Sequence, residues 1–177
     1  MGDTLTIIVV IFLGAILMFV FPLMTIAERT DDISELAVQT ATTEYVESIK
    51  KTGKITLDNY DQYLSTITAT GNSFEVEMLV QQLDENPGMK TTQAETTKIG
   101  ENLYYNKYTS QIEDELNTKG RITLKEGDIV SVTVRNTNKT IAQILRNFFY
   151  MVSGNDSYQI AGQHSGVVGV NGSTSGN

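Results

Sequence analysis

The sequence predicts an α+β protein in which one long N-terminal helix packs on a small, mostly antiparallel sheet head with about three further helices. Residues 1–52 show a single helical pattern that is apolar at first and amphipathic afterwards. The rest of the chain alternates short strand-like and helix-like segments. These strands are too few and too short for a large parallel sheet, which favours the α+β class.

The same patterns divide the chain into three regions. A transmembrane or filament-core helix is predicted over 1–52, a globular α+β head over 53–168, and a flexible tail rich in Gly, Ser and Asn over 169–177. The formal net charge of −8 is opposite to that of a nucleic-acid-binding surface, so no nucleic-acid partner is expected. With no cysteine and one histidine, disulfides, thiolate catalysis and His-rich metal sites are excluded.

The first element is an uncharged run of 24 residues from Thr4 to Ala27. As a helix it is about 36 Å long, which exceeds the hydrocarbon core of a bilayer at about 30 Å. The run therefore predicts a retained transmembrane or bundle helix. Two alternatives stay open, a buried helix of a soluble protein and a cleaved secretory signal with Thr25 and Ala27 before the cut. Against the signal, the acidic Asp3 stands where such a peptide carries a basic residue.

Two residues inside the run affect its geometry. Pro22 removes a backbone donor and clashes with the preceding turn, so a kink or a locally unwound stretch is expected over 18–22. Gly14 lets a neighbouring helix approach closely.

The second half of the helix is amphipathic and is predicted to dock one face on the head. Gly53 follows two lysines and is a natural helix terminator. The apolar residues that share one predicted face are Ile33, Leu36, Ala37, Ala41, Tyr45 and Ile49.

The head is predicted to contain alternating helices, strands and loops. Thr56 or Asp58 is expected to cap the first head helix, and Thr140 the last. In chain order we expect an extended link over 53–57, a helix over 58–70, a strand over 74–81, a loop over 84–100, a helix over 101–119, a strand over 129–134, a helix over 141–152 and a strand over 158–168. Gly53-Lys-Ile-Thr-Leu57 and Gly120-Arg-Ile-Thr-Leu124 share four of five residues, which we interpret as a reused turn.

Residues that carry catalytic chemistry are scarce in this sequence. His164 stands alone and is interpreted as an ordinary surface histidine, and nucleophile, phosphate-loop and dinucleotide motifs are missing. We therefore expect no enzyme activity, no cofactor, no metal ion and no catalytic residue. Three Asn-x-Ser/Thr sequons are candidate glycosylation sites, at Asn138, Asn155 and Asn171.

Several segments resemble the type IV filament superfamily, in particular the pilin-like subunits of tight-adherence (Tad) systems in Gram-positive bacteria. They are ATTEYVESIKKTGKITLDNYDQYLSTITATGNSFEVEM, LDENPG, EGDIVSVTVRNTNKTIAQILRNFFYMVSG and NDSYQI, within residues 37–161. The resemblance implies a surface filament whose core consists of N-terminal helices. It implies that copies of the chain are the main partner, with the membrane before assembly and a pilus assembly platform and its ATPase during assembly.

The filament core is then expected to form through the N-terminal helix. The residues that we expect to contribute are Asp3, Leu5, Ile8, Phe12, Gly14, Phe19, Pro22 and Glu28. The family's basic leader and its acid at the fifth mature position differ here, because only Met1 and Gly2 precede Asp3 and Ile7 would take the fifth position. We hypothesise that Asp3 pairs with a neighbour's terminal amine, since an unpaired charge in an apolar core is costly. Asp3→Asn should then lower filament yield, and an unchanged yield would contradict the pairing.

Two other functions stay open at this point. One is a single-pass membrane-anchored surface protein, either a minor pilin or an accessory binding module that does not form the main filament. The other is an extracellular enzyme. Regular fibres in electron micrographs separate the first from a filament subunit, and titratable groups clustered in a cleft are the mark of the second.

Overall fold

The computed structural model describes residues 2–83, 104–150 and 160–172. Within these ranges the chain has the predicted α+β fold, with a long N-terminal helix and two antiparallel sheets of two and four strands. The predicted loop over 84–100 lies outside the described residues. The elements are α1 (Gly2–Thr52), β1 (Lys54–Thr56), α2 (Leu57–Thr68), β2 (Phe74–Leu83), β3 (Tyr104–Tyr108), α3 (Thr109–Lys119), β4 (Arg121–Thr123), β5 (Ile129–Asn136), α4 (Ile141–Tyr150) and β6 (Ala161–Val167).

Helix α1 runs for 51 residues, or about 77 Å. It passes through Pro22 as continuous α-helix, so the locally unwound stretch predicted over 18–22 is wrong. The helix ends as expected at Gly53, whose φ is +63° and whose N–H donates to the Ile49 carbonyl at 2.8 Å. Lys50 and Lys51 lie in the last turn, where their positive charge interacts favourably with the negative end of the helix dipole.

The face that α1 docks on the head differs from the predicted one. Ala41, Tyr45 and Ile49 are buried as expected, but Ile33 and Leu36 are 63% and 68% exposed and Ala37 is also exposed. The other buried residues of the docking face are Asp31, Ser34, Val38, Thr42 and Val46. The prediction failed because it placed every apolar residue on one face, whereas three polar side chains share the real one.

The larger sheet has the strand order β3-β2-β5-β6, and all neighbouring strands are antiparallel. Helix α1 crosses β6 at Gly162, where a Cβ atom would be 3.2 Å from Val38 Cγ1. The Gln39 side chain donates to the Gln163 carbonyl at 3.1 Å and accepts from the Gln163 N–H at 3.1 Å. A helix side chain thereby satisfies backbone groups at the edge of the sheet, which protects that edge.

Strand β3 occupies part of the segment predicted as a helix over 101–119. The helix begins only at Thr109, after the extended residue Tyr108, whose N–H donates to Gln111 Oε1 at 3.1 Å. That prediction is wrong for 104–108 because tyrosines favour a strand when β2 offers a partner, as Leu79 does for Tyr108. The two predicted helix caps are present. Thr56 Oγ1 accepts from the Asn59 N–H at 3.3 Å, and Thr140 Oγ1 accepts from the Gln143 N–H at 3.2 Å.

The repeated GKITL and GRITL segments pair with each other, which the interpretation as a reused turn missed. Ile55 lies opposite Ile122 in the antiparallel β1–β4 ladder. The Leu57 N–H donates to the Gly120 carbonyl at 3.0 Å, and the Leu124 N–H donates to the Gly53 carbonyl at 2.8 Å. Each glycine ends a helix with a positive φ, so the arrangement has local pseudo-twofold symmetry.

The beginning of the expected flexible tail is hydrogen-bonded to the head. The Gly169 N–H donates to the Lys50 carbonyl at 3.2 Å, and the Gly172 N–H donates to the Leu124 carbonyl at 2.8 Å. Gly172 lies directly against Gly53, so close that a Cβ atom at Gly172 would overlap the Gly53 carbonyl oxygen. Residues 173–177 lie outside the described residues.

The two pseudosymmetric glycines predict unequal effects of the same substitution. Gly120→Ala should destabilise the head by about 1–2 kcal/mol, the cost of placing an L-residue at φ +72°, because among the described residues nothing beyond the adjacent chain lies within 4 Å of the added Cβ. Gly53→Ala adds a clash, since its Cβ would be 2.5 Å from Gly172 N and 2.6 Å from Val170 O. We expect thermal unfolding to show a clearly larger loss for Gly53→Ala. Equal losses would mean that the 170–172 segment does not pack on Gly53.

Candidate assembly surface

Most residues in the apolar half of α1, residues 2–27, are exposed. Leu5, Ile8, Phe12 and Phe19 are 62–70% exposed. The helix is long and apolar enough to cross a membrane, and none of its most apolar window is buried within the protein. Side chains of this kind need lipid or other protein around them, because leaving them in water costs about 1.5–3 kcal/mol each.

The other predicted assembly residues take different positions. Asp3 is exposed in the first turn of α1, and Gly14 has open space beside it, because no described residue outside its own helical turn lies within 4 Å of an added Cβ. Pro22 lies in the continuous helix. Glu28 instead contacts the head, where its Oε1 accepts from Arg146 Nη2 at 3.0 Å.

A polar clamp joins α1 to α4 where the apolar half ends. Besides the Glu28–Arg146 pair, the buried Asp31 accepts a hydrogen bond from Thr140 Oγ1 at 2.6 Å. Gln143 Oε1 in turn accepts from the Thr140 N–H at 3.2 Å. These contacts fix the direction in which α1 leaves the head, and sequence reasoning missed them because the partners are more than 100 residues apart.

An apolar surface continues along α1 beyond the clamp. Ile33, Leu36 and Ala37, which we call the outer stripe, are all exposed. Successive helical residues are turned by about 100°, so the outer stripe lies roughly opposite the docking face. Charged residues at 28, 29, 31 and 32 separate Ile33 and Leu36 from the apolar half along the sequence. The stripe therefore extends the candidate assembly surface past the end of the membrane-length segment.

No protein-family model, characterised protein or solved structure matches this chain. The geometry of α1 and its surroundings is therefore the basis for a functional conclusion.

A tyrosine cluster holds the docked half of α1 against α2. The rings of Tyr45 and Tyr63 stack with their centroids 4.5 Å apart, and Tyr60 lies 6.3 Å from Tyr45. The Tyr63 hydroxyl is 3.0 Å from Thr42 Oγ1, and the Tyr60 hydroxyl donates to Glu113 Oε1 at 2.7 Å. Burial raises the pKa of all three phenols, that of Tyr63 to about 12. The cluster belongs to the core, whereas Tyr104, Tyr105 and Tyr108 are exposed on β3.

These raised pKa values predict a loss of stability in alkali. The folded state keeps the phenols protonated while the unfolded chain releases protons from about pH 10, so the stabilisation is complete below that pH. It should decline as pH rises toward the folded pKa of Tyr63 at about 12, by up to about 1.4 kcal/mol per pH unit for each tyrosine. Urea unfolding at several pH values from about 9 to about 12 measures this decline in the free energy of unfolding. Tyr63→Phe should flatten the decline, and a flat wild-type profile would contradict the linkage.

His164 takes part in a surface ion-pair network near the end of α1. Its Nε2 lies 3.2 Å from Glu47 Oε1, and the Lys50 ammonium contacts the same oxygen. The hydrogen bond from Lys50, followed by that from His164, lowers the pKa of the Glu47 carboxyl. Across the residues that the structure describes, no group of three or more His, Asp or Glu side chains has the arrangement of a metal site.

Two of the three sequon asparagines have their side chains hydrogen-bonded. Asn138 Nδ2 donates to Asn72 Oδ1 at 2.9 Å, and Asn138 Oδ1 accepts from the Ser73 N–H at 2.9 Å. Asn171 Oδ1 accepts from the Glu126 N–H at 2.8 Å. Asn155 lies outside the described residues. A glycan on Asn138 would replace one of the hydrogens on the nitrogen that now bonds to Asn72.

Proposed function

We propose that this chain is a structural, pilin-like subunit of a surface filament, which polymerises through α1 after insertion in a membrane. The outer stripe is the observation that supports this proposal most strongly. A simple membrane anchor explains an apolar segment up to Ala27, but it does not explain exposed isoleucine and leucine side chains beyond a charged boundary.

The distances along α1 make this point quantitative. Ile33 is about 9 Å and Leu36 about 14 Å beyond Ala27 along the helix axis. Residues 4–27 already exceed the thickness of a bilayer core by about 6 Å. Ile33 and Leu36 therefore lie in water when a single copy is inserted, whereas a neighbouring α1 helix would cover the apolar half and the outer stripe together.

Burial between copies would replace the lipid around the apolar half and would remove the outer stripe from water. Transfer of each large apolar side chain out of water is worth about 1.5–3 kcal/mol, against an association cost of about 4–15 kcal/mol. The apolar half and the outer stripe together present more than a dozen large exposed hydrophobic side chains, including Leu5, Ile8, Phe12, Phe19 and Ile33. Even partial burial of that set exceeds the association cost for a subunit outside the bilayer. For an inserted subunit, lipid already covers the apolar half, so association gains from burial of the outer stripe and from close helix packing.

The described head offers little support for the enzyme alternative. An open cleft of about 200 Å³ between α1 and α2 is lined by Glu44, Tyr45, Ser48, Asn59, Gln62 and Thr66, among others. It brings one carboxylate together with amides and hydroxyls, which is not the paired acid and base of a hydrolytic site. A non-enzymatic role at the cell surface is therefore part of the proposal.

The resemblance to Tad-type pilins supplies the remaining partners as proposals. The subunit would wait in the membrane, then be moved into a helical homopolymer by an assembly platform and its ATPase. The runner-up is a single-pass surface protein that stays a monomer.

Electron microscopy of material sheared from cells that express the chain tests the proposal. We expect regular fibres that contain the chain and are labelled by antibodies against its head. If the chain is found only as detergent-soluble monomers in the membrane fraction, the filament proposal fails and the single-pass anchor is favoured.

A further inference from the structure

The head has a second apolar feature next to the membrane-length segment of α1. Helix α4 exposes Ile141 and Ile144, with exposed fractions of 69% and 54%, while Ala142 and Gln143 are buried. Exposed isoleucines three residues apart occupy one side of a helix, so the first turn of α4 is amphipathic with its apolar side left open.

The polar clamp sets the level and direction of α4. Thr140, before its first residue, contacts Asp31, and Arg146, farther along α4, contacts Glu28, which lies nearer the apolar half of α1. The chain of α4 therefore descends toward the end of the membrane-length segment as it proceeds. Its exposed isoleucines lie at the level where that segment meets water.

A groove joins the two apolar surfaces at this level. It has a volume of about 380 Å³, and Leu23, Ile26, Ala27 and Ile141 line its apolar side. Asn72 and the exposed Lys139 lie on its polar rim. We call it the boundary groove. Its rim is held in place by hydrogen bonds, because Asn138 bonds both to Asn72 and to the Ser73 N–H, and the Thr137 N–H donates to the Ser73 carbonyl.

We propose that the boundary groove and the exposed side of α4 form a second membrane contact, which is occupied by phospholipid and holds the head against the bilayer surface before assembly. This rests on the membrane insertion included in the proposed function. The apolar side of the groove continues the surface of the membrane-length segment, and Lys139 provides a cation at the height of the lipid phosphates. A lipid whose acyl chain lies along Leu23 and Ile141 would cover the apolar side of the groove and place its phosphate beside Lys139.

The absence of tryptophan and cysteine from the sequence makes the contact measurable. Single-tryptophan variants Ile141→Trp and Ile144→Trp would be reconstituted in vesicles of phosphatidylcholine and phosphatidylglycerol that carry bromine at either the shallow or the deep end of an acyl chain. Val167→Trp is the matched control, because Val167 is 55% exposed and lies on β6 next to Gly166, which contacts Lys50. Lys50 is about 35 Å beyond Ala27 along α1, so Val167 lies far from the membrane-length segment. Phe12→Trp reports insertion of α1 itself.

We expect both α4 tryptophans to be quenched, more by shallow than by deep bromine, while Trp at 167 stays bright. Quenching at position 12 without quenching at 141 and 144 would overturn the second contact and leave membrane insertion standing. No quenching at position 12 would overturn insertion, and the second contact with it. Protection of position 144 from aqueous iodide only at high protein density, without quenching by bromolipid, would assign this surface to a second copy and also overturn the proposal.

The phosphate contact has its own comparison. Lys139→Glu should reduce shallow quenching of Trp at 141 in vesicles that contain phosphatidylglycerol. Lys51→Glu makes the same charge change at an exposed position at the far end of α1 and should have no effect. Equal quenching in the Lys139→Glu and Lys51→Glu variants would show that Lys139 does not contact lipid headgroups.

Discussion

Leu36→Glu is expected to abolish filaments while the head stays folded and α1 stays inserted in the membrane. Leu36 is 68% exposed and lies opposite the docking face, so a carboxylate there is well solvated in a single subunit. In a filament the same carboxylate would be buried against a neighbouring helix. An unpaired buried charge costs several kcal/mol, and the cost recurs at every subunit contact.

Three measurements on protein prepared from the same cells separate assembly from folding. Electron microscopy of sheared material counts filaments, detergent extraction of membranes measures insertion, and the circular dichroism of the tyrosine cluster reports the fold of the head. Leu36→Glu should change only the first. Ile33→Glu, one turn earlier on the outer stripe, should behave in the same way.

Thr66→Glu is the matched control for the change in charge. Thr66 is exposed on α2, away from the outer stripe, and its hydroxyl donates within its own helix, to the Gln62 carbonyl at 2.8 Å. Leu36→Met is the control for the apolar character of the stripe, because it keeps nearly the same volume and polarity. Filaments at wild-type abundance in Leu36→Glu cells would remove the outer stripe from the interface, and with it the main support for a polymer.

The membrane-length segment of α1 was predictable because its signal is local. An uninterrupted run of apolar residues has the same physical meaning in any fold, and its length alone sets it against the bilayer. The docking face of α1 was not predictable in the same way. The helical spacing places the apolar residues Leu36 and Tyr45 on opposite sides of α1. It does not show which of these two apolar surfaces meets the head and which remains for another partner.

Polar residues on the docking face explain why the inward side was misassigned. Thr42 is fully buried because its hydroxyl donates to the Val38 carbonyl at 2.7 Å and also contacts the hydroxyl of Tyr63. Asp31 is buried because Thr140 satisfies it. Such partners exist only after the fold brings distant segments together, so a scale of residue hydrophobicity places these side chains outside.

The repeated GKITL and GRITL segments could have been predicted as paired strands, not only as a reused turn. Each repeat places a glycine after a helix and then an alternating Ile-Thr-Leu, which is the pattern of a helix end followed by a strand. Two identical strand patterns in one small domain are natural pairing partners, and Ile55 does lie opposite Ile122. Strand β3 shows the opposite case, because 104–108 has a helical spacing that is overridden by pairing with β2.

Asp128→Ala is expected to produce the largest loss of stability among single substitutions in the turn between β4 and β5. Asp128 is 1% exposed, and its two carboxylate oxygens accept from two backbone donors. Oδ1 accepts from the Leu83 N–H at 2.9 Å, and Oδ2 accepts from the Lys125 N–H at 2.9 Å. The side chain thus closes its own turn and ties that turn to the end of β2.

The main chain of Asp128 adds a third connection. Its carbonyl accepts from the Val168 N–H at 2.7 Å, and the adjacent Gly127 N–H donates to the Val168 carbonyl at 3.0 Å. A displaced turn would therefore loosen β6 as well as β2. Hydrogen bonds to a charged acceptor contribute about 1.5–3 kcal/mol each, and the two amides are only partly shielded from water, so we expect Asp128→Ala to cost about 2–4 kcal/mol.

Thermal unfolding of the detergent-solubilised chain, followed by the tyrosine circular dichroism, measures this loss. At roughly 2–4 °C per kcal/mol for a chain of this size, Tm should fall by about 5–15 °C. Asp114→Ala removes an exposed carboxylate from α3 and should leave Tm nearly unchanged. Asp128→Asn keeps one acceptor oxygen but turns an amide donor toward the other N–H, so it should not restore full stability. If Asp128→Ala melts with the wild type, water replaces the carboxylate at little cost, and backbone pairing with Val168 alone holds the turn in place.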